Sequence, residues 1–515
     1  MAFPPAFGYL PPMLLIHPPA AKACEPPAGI ARLAGTLRGH GLPCTLLDAN
    51  LEGQLFLLAA PTLGPDTWSL RAGRNLTDNL TALRTPELYQ NPSRYRRAVA
   101  DINRVLEQTG KHHHLSLSLA NYQEQGISPL SSVDLIRAAE TPEANIFFSY
   151  FAARLPALIE ETHPALIGIS LNYLSQAPTT FAMIGFLKKR YPGLPIVLGG
   201  GLVTSWLRNP AWNNPFSGLI DHCLAGPGEE ALVRLLAGYF SPRHQTPSYG
   251  DLPLTDYLAP GLILPYAASS GCYWNRCLFC PEKAEGNPYL QIPPATVLAD
   301  IAGLKAAIQP LQPTLLHFLD NAVSPALMQA LAAEPPGLDW YGFARISPLL
   351  GEPDFCRALR RSGCRMLKLG LESGDQSVLE AMNKGQDLAL IEKVLQTLAQ
   401  AGIATYIYLL FGTPSESLAE ARRTMDFVVR HNAAITFLNL AVFNMPLGSP
   451  EAPFVTRSEF YGGDLSLYTD FEHPKGWSRK EIRRFLDQEF KRHPAIARIL
   501  HRDPPLFTSN HAAFF

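Results

Sequence analysis

At 515 residues, with Lys+Arg 43 against Asp+Glu 44 and a formal net charge of −1, the chain is long enough for two or three domains. That balance leaves no bulk field to gather nucleic acid or an anionic membrane. A hydrophobic fraction of 47% and a charged fraction of 17% are those of a globular protein, and no apolar run is long enough to cross a bilayer. The opening stretch MAFPPAFGYLPPMLLIHPP is apolar but broken by prolines and lacks the basic segment of a signal peptide, so a cytoplasmic enzyme is expected.

In chain order, residues 13–16 (MLLI) read as a short buried strand ahead of His17-Pro18-Pro19. Pro26-Pro27 open a helix in which Ile30, Leu33, Ala34 and Leu37 recur at helical spacing, closing at Gly39 and Gly41. Residues 44–47 (CTLL) form a second strand with Asp48 at its carboxyl end, which makes one βαβ unit of an open parallel sheet. From about residue 52 to 150 the chain turns polar, and a helical insertion is expected. It contains His112-His113-His114, but three adjacent histidines diverge on a helix, which suits a solvated surface better than a metal site.

The sheet resumes at residues 165–170 (ALIGIS). A helix over about 178–190 leads to a strand at 195–198 (PIVL), which ends in Gly199-Gly200-Gly201. A last strand is drawn from Leu219-Ile220 and Cys223-Leu224, before Gly226-Pro227-Gly228-Glu229-Glu230 and a helix over 231–236. Glycines beyond the carboxyl ends of parallel strands let a ligand approach the backbone, although tight turns use the same residues.

Residues 239–261, rich in Pro, Ser and Tyr, read as a linker to a strand at 262–266 (LILPY). SSGCYWNRCLFCP, at 269–281, then sets Cys272, Cys277 and Cys280 at C-x4-C-x2-C spacing. Three thiolates on one loop can converge on one soft metal centre. A closed zinc site needs a fourth ligand, and no Cys or His before His317 supplies one. An iron–sulfur cubane with one iron left open is therefore the better reading, and it fits a reducing compartment. Tyr273, Trp274, Leu278 and Phe279 would shield it from water.

Strand and helix alternate from there. Strands are expected at 315–319, 340–343, 366–371, 405–410 and 435–442, six with the one before the cysteines. Helices follow Pro293-Pro294 and run over 388–400. This is the pattern of a parallel βα-barrel or part of one. Asp320, Arg345, Glu372 and Ser373 fall just after strand ends, the face where barrel enzymes build their sites. Singly each could be a helix cap, but together with the cysteine loop they point to a cofactor pocket. Residues 458–515 alternate basic and aromatic side chains and are expected to pack on the barrel mouth.

The cysteine loop resembles the signature of the radical S-adenosylmethionine (radical SAM) enzymes. That signature is usually C-x3-C-x2-C with an aromatic residue just before the last cysteine, here Phe279; the first gap is one residue longer in this chain. LHFLDNAV, YGFARIS, LKLGLESGDQSVLEAMNKG and YLLFGTPSES are similar to successive strand-end motifs of the subclass that carries an N-terminal cobalamin-binding domain, and the first sheet resembles that domain. The implied fold is α/β. A Rossmann-like sheet of cobalamin-binding type (1–238, with a helical insertion at about 52–150) is followed by a linker (239–261). A partial (β/α)6 TIM-like barrel (262–450) and a C-terminal extension (451–515) complete it.

The resemblance implies a 4Fe-4S cluster on Cys272, Cys277 and Cys280. It implies SAM held by Phe279, Asp320, Arg345, Glu372, Ser373, Leu410 and Gly412. Within that set, Glu372 and Ser373 would meet the ribose or amino-acid part, and the Leu410 and Gly412 backbone would lie near adenine. It implies cobalamin lined by Pro18, Ser170, Leu171, Gly199, Gly200, Gly226 and Glu229. Two departures stand out. The fifth-strand loop reads Gly412-Thr413-Pro414-Ser415-Glu416 where the family usually has G-x-P-G-E. The D-x-H-x-x-G motif that gives cobalt its histidine in methionine-synthase-like domains is absent, as it is in many members of the subclass.

The implied activity is reductive cleavage of SAM to a 5′-deoxyadenosyl radical, used with cobalamin to methylate an unactivated carbon. The substrate would be a small molecule, lipid or peptide, and the reductant a flavodoxin or ferredoxin. A cobalamin-dependent radical cyclase or rearrangement enzyme is the alternative within the class. A zinc-bearing corrinoid-fold carrier or sensor without radical chemistry is the alternative outside it. Neutral charge and the lack of an evident basic appended domain weigh against a nucleic-acid substrate. No substrate-contacting residue is legible.

Overall fold

The computed structural model describes residues 12–111, 113–459, 462–505 and 512–514. His112 and the first eleven residues lie outside the described residues.

The first sheet has five parallel strands: β1 (Met13–His17), β2 (Cys44–Asp48), β3 (Leu166–Ser170), β4 (Ile196–Gly199) and β5 (His222–Cys223), in the order β2-β1-β3-β4-β5. All five residues of β1 are buried, as an apolar run covered on both faces must be. Helix α1 (Ala28–Gly39) turns Ile30, Ala34 and Leu37 inward. The strand order reverses between β1 and β3, and the loops beyond their carboxyl ends diverge there to leave a crevice.

Two expectations for this sheet are corrected. β5 is only His222–Cys223, because Leu219 and Ile220 are folded into a turn on Phe216 O beside Gly218 (φ +86°). The stretch expected as helix or loop between 52 and 150 also holds a short hairpin, Leu115–Leu117 with Tyr122–Glu124. Its long helix Pro92–Lys111 buries Tyr95, Val99, Ile102, Val105 and Leu106 along one stripe, so this polar stretch is packed into the core.

The second sheet holds six parallel strands in sequence order: β6 (Leu262–Tyr266), β7 (Pro313–Phe318), β8 (Trp340–Ala344), β9 (Cys364–Glu372), β10 (Ala404–Phe411) and β11 (Phe437–Val442). Helices between them form the outer layer of a curled half-barrel. Helix Leu388–Gln400 has the bounds its pattern predicts, with Asp387 capping it by accepting from Ala389 N and Leu390 N. β7 stops one residue short of the expectation, leaving Leu319 38% exposed, and β11 starts two residues late because Asn432–Ala434 make a 3-10 turn.

The underside of the half-barrel is filled by the N-terminal part. Ile263, Leu315, Tyr341, Met366, Ala404, Tyr406 and Phe437 belong to the same buried cluster as Leu14, Ile16 and the inserted helices. At the opposite end the C-terminal segment meets the barrel mouth. Arg479 donates to Phe443 O, and His473 Nε2 lies 2.9 Å from Thr413 O. Among the described residues, no helix is long and apolar enough to cross a membrane.

Candidate functional site

The cysteine loop leaves β6 and is tied down at both ends. Asp320, just after β7, is buried and accepts from Ala268 N at 3.0 Å and from the Ser269 hydroxyl. Burial pushes its carboxyl up in pKa, opposed by those hydrogen bonds. Gly271 sits at φ +71°, and a Cβ there would meet Pro288 O at 2.4 Å, so only glycine fits the turn before Cys272. Further on, Leu278 N donates to Met382 O (3.0 Å) and Asn383 Nδ2 to Arg276 O (3.2 Å). The Arg345 guanidinium stacks on Trp274, 3.8 Å from the ring centre, and donates to Gly385 O at 2.8 Å. The loop is thus clamped onto residues 382–385, beyond β9.

All three thiols are free and half-buried. Burial raises the pKa of Cys277, opposed chiefly by the charges of Lys384 and Arg345, and pushes that of Cys280 up to about 11. Loading a metal would displace these protons, and the two nearby cations favour the Cys277 thiolate left behind. Among the described residues, no group of three or more His, Cys, Asp or Glu side chains closes on a single-ion position. A tetrahedral zinc with Zn–S of about 2.3 Å would need its sulfurs within roughly 4 Å of one another. The donor set, three soft thiols under Tyr273, Trp274 and Phe279, suits a larger cluster.

Glu372, at the end of β9 with φ +67°, pairs with Lys384 Nζ at 2.7 Å, and that ammonium faces the Phe279 ring at 5.4 Å. Lys384 sits in the quoted LESGDQSVLEAMNKG stretch but was given no role by sequence reasoning, since no periodicity links it to Glu372. Ser373 is fully buried, and its hydroxyl is engaged with Thr424 Oγ1 at 3.1 Å and with Asp375 N. Its hydroxyl is thus already engaged within the protein. Gly412 has φ +84°, and its N–H donates to Glu416 Oε2 at 2.6 Å. Leu410, like Phe279, packs against the cluster of Phe443, Met445 and Ala452.

A cavity of about 610 Å³ lies where the two sheets meet. It is lined by Ser170, Gly199, Gly200, Gly226 and Glu229 from the first sheet, and by Ser270, Gly271, Pro281 and Glu285 from the flanks of the cysteine loop. Gly200 (φ +106°) has no room for a side chain, since a Cβ would meet Leu171 O at 2.4 Å. Gly226 N donates to Thr204 Oγ1 at 2.9 Å, and Glu229 is paired with Arg32. Two expected lining residues are not brought there. Leu171 is buried in the sheet core, and Pro18 turns its carbonyl to Gln176 Nε2 at 2.7 Å. Arg32 and Thr204 line the cavity without having been foreseen. No histidine is among its lining residues.

Residues 266–428 match the Radical SAM superfamily. That stretch is a radical SAM domain. The chain is 29% identical over 106 residues to bacteriochlorophyllide d C-12(1)-methyltransferase of Chlorobaculum tepidum, covering 20% of this chain and 22% of that enzyme. Its fold is similar to the cobalamin-dependent radical SAM enzyme OxsB with aqua-cobalamin bound (TM-score 0.53, 13% identity, 84% of this chain and 53% of that one). It is also similar to the radical SAM methyltransferase TsrM of Kitasatospora setae with cobalamin and a [4Fe-4S] cluster bound (TM-score 0.51, 16% identity, 87% and 78%). The chain thus spans about a fifth of that curated relative and about half of OxsB. The two-sheet architecture is that of the cobalamin-dependent members.

Proposed function

We propose that this chain is a cobalamin-dependent radical SAM enzyme, and that it methylates carbon. The observation that carries the reading is the shared cavity. The glycine-rich strand ends of the first sheet and the flanks of the three-cysteine loop face the same space, as a methyl carrier and a radical source must. When bound, a [4Fe-4S] cluster with SAM supplies a 5′-deoxyadenosyl radical, and cobalamin supplies a transferable methyl group.

The chain's own residues divide the remaining work. Cys272, Cys277 and Cys280 would hold the cluster, with Lys384 and Arg345 stabilising the Cys277 thiolate. Asp320 fixes the loop through Ala268 and Ser269. Phe279, Tyr273 and Trp274 exclude water from the mouth. Glu372, held by Lys384, would meet the ribose or amino-acid part of SAM, and the Leu410 and Gly412 backbone would lie near its adenine. Ser170, Gly199, Gly200, Gly226 and Glu229 would line the corrin, with Arg32 fixing the Glu229 carboxylate. The substrate is a small molecule, lipid or peptide, electrons come from a flavodoxin or ferredoxin, and the enzyme works in the reducing cytoplasm.

The test is anaerobic reconstitution with iron, sulfide and hydroxocobalamin. The expected results are a brown protein with near four irons per chain, retained corrinoid, and release of 5′-deoxyadenosine from SAM. A colourless, iron-free protein would overturn the reading. SAM cleavage without label transfer from methyl-labelled SAM to product would favour a cyclase or rearrangement enzyme.

A further inference from the structure

A second polar assembly stands inside the half-barrel, between the apolar underside and the mouth. His317 of β7, Tyr341 of β8 and Lys368 of β9 face inward side by side. The His317 ring stacks on Tyr341 with centroids 4.3 Å apart, and Lys368 Nζ lies 5.1 Å from the Tyr341 ring and 5.0 Å from Phe343. The fourth member comes from the other sheet. Glu25, in the loop after β1, holds His317 Nδ1 at 2.9 Å, across 292 residues of sequence. The loop after β1 therefore reaches into the half-barrel.

The space above this assembly is not filled by side chains. The inward residues of the upper strands, Phe343, Gly370, Tyr408 and Asn439, are all partly exposed, while their outward neighbours Leu369, Leu371 and Leu409 are buried. Tyr173, beyond β3, keeps 58% of its surface accessible. Yet burial by surrounding protein, and next the Glu25 charge, raise the pKa of its hydroxyl. Partly exposed side chains above a buried charged layer leave room for a ligand at these strand ends.

Lys368 is only 2% exposed, and its ammonium has three donors. Its one hydrogen-bond partner among the described residues is His317 Nε2, at a long 3.5 Å. The carboxylate of Glu25 is committed to His317, not to Lys368. Lys22 adds a second positive charge that acts on both Glu25 and Lys368. His317 is held neutral by burial, against the opposing pull of Glu25. Two cations thus face one anion, and a buried ammonium with unused donors is costly unless a ligand completes it.

We propose that the barrel interior takes a carboxylate-bearing substrate anchored on the ammonium of Lys368. This rests on the reading of the barrel mouth as the radical-generating site, since a molecule seated there lies between Lys368 and the cysteine loop. Glu25 and His317 act as positioning residues: they hold the loop after β1 against the barrel and keep the Lys368 donors free for the ligand. The rings of Phe343, Tyr408 and Tyr173 form an aromatic wall, so the carboxylate belongs on a molecule with an apolar or aromatic body.

The experiment is calorimetric titration of the reconstituted full chain with indole-3-acetate and with its neutral isostere indole-3-acetamide. The acid should bind at least tenfold tighter than the amide. Lys368→Met should abolish that difference, and Lys368→Arg should keep most of it. Glu25→Gln, by removing the opposing charge, should tighten binding of the acid severalfold. Equal binding of the two compounds, no binding of either, or discrimination that survives Lys368→Met would overturn the proposal. Should Lys368→Met fail to fold, Glu25→Gln decides: weaker binding of the acid would overturn it. Binding needs no turnover, so cluster absorbance and SAM cleavage on the same samples report separately on the radical chemistry.

Discussion

Lys384 Nζ stands 2.7 Å from Glu372 Oε1, with both side chains about nine-tenths buried, at 10% and 12% exposed. The pair joins the end of β9 to the segment that clamps the cysteine loop. Removing one partner of so enclosed a pair leaves a charge uncompensated, a loss of about 3–5 kcal/mol. Lys384→Met should therefore lower the urea midpoint and reduce iron retention together. Glu372→Gln should cost less, because the amide oxygen still accepts from the ammonium. Equal iron content in Lys384→Met and the parent would sever the link between this pair and the loop.

Cys272→Ala, prepared anaerobically, should lose the brown absorbance and the iron while keeping the far-ultraviolet circular dichroism of the parent. The loop is held by Asp320, Asn321 and residues 382–385, not by a metal alone. Zinc near one per chain in the parent protein would instead favour the carrier or sensor reading.

At Gly412, a Cβ would meet Ile482 Cδ1 at 2.3 Å, and φ is +84°. Gly412→Ala should weaken SAM binding at least tenfold, measured by equilibrium dialysis. Adding Ile482→Ala relieves the contact but not the backbone strain, so the double variant should recover only in part.

Gly200→Ala offers the matching test on the other side of the cavity. With Leu171 O 2.4 Å from the new methyl, the loop after β4 must shift. Hydroxocobalamin retained through gel filtration should fall at least tenfold. Iron content should stay at the level of the parent, because the cysteine loop is untouched.

Glu416 should impose a pH slope on stability. Burial raises its pKa to about 8 from 4.5, against the opposing bond from Gly412 N, and Oε1 has no hydrogen-bond partner among the described residues. The folded state thus holds this proton more tightly than the unfolded chain. The stabilisation is fully present below pH 4.5 and is lost as pH rises through about 8. The loss is roughly 1.4 kcal/mol per pH unit across that interval. Glu416→Gln should remove that slope, seen by comparing urea denaturation at pH 5 and pH 8.5.

Periodicity carried most of the architecture, because buried parallel strands are short apolar runs and the helices between them repeat every three or four residues. Leu262–Tyr266 and Leu388–Gln400 have the bounds their patterns predict. Local spacing also exposed the three cysteines. What it could not expose were partners distant in sequence. Glu25 meets His317, and Lys384 meets Glu372, only because a fold brings them together. The Thr424 partner of Ser373 was equally hidden, because a residue at a strand tip can turn its hydroxyl toward an adjacent helix. β5 was overdrawn because two apolar pairs look like a strand even when the first of them belongs to a turn at Gly218.

The packing of Ile263, Tyr341, Met366 and Phe437 among N-terminal side chains has a practical corollary. The stretch that houses the cysteines is not a detachable cassette. Expressed from residue 262 onward, it would display a greasy, aromatic floor to solvent and self-associate. Whatever enters the barrel must therefore come past the rim, and engineers seeking to swap catalytic halves between relatives will have to carry the floor along with the walls.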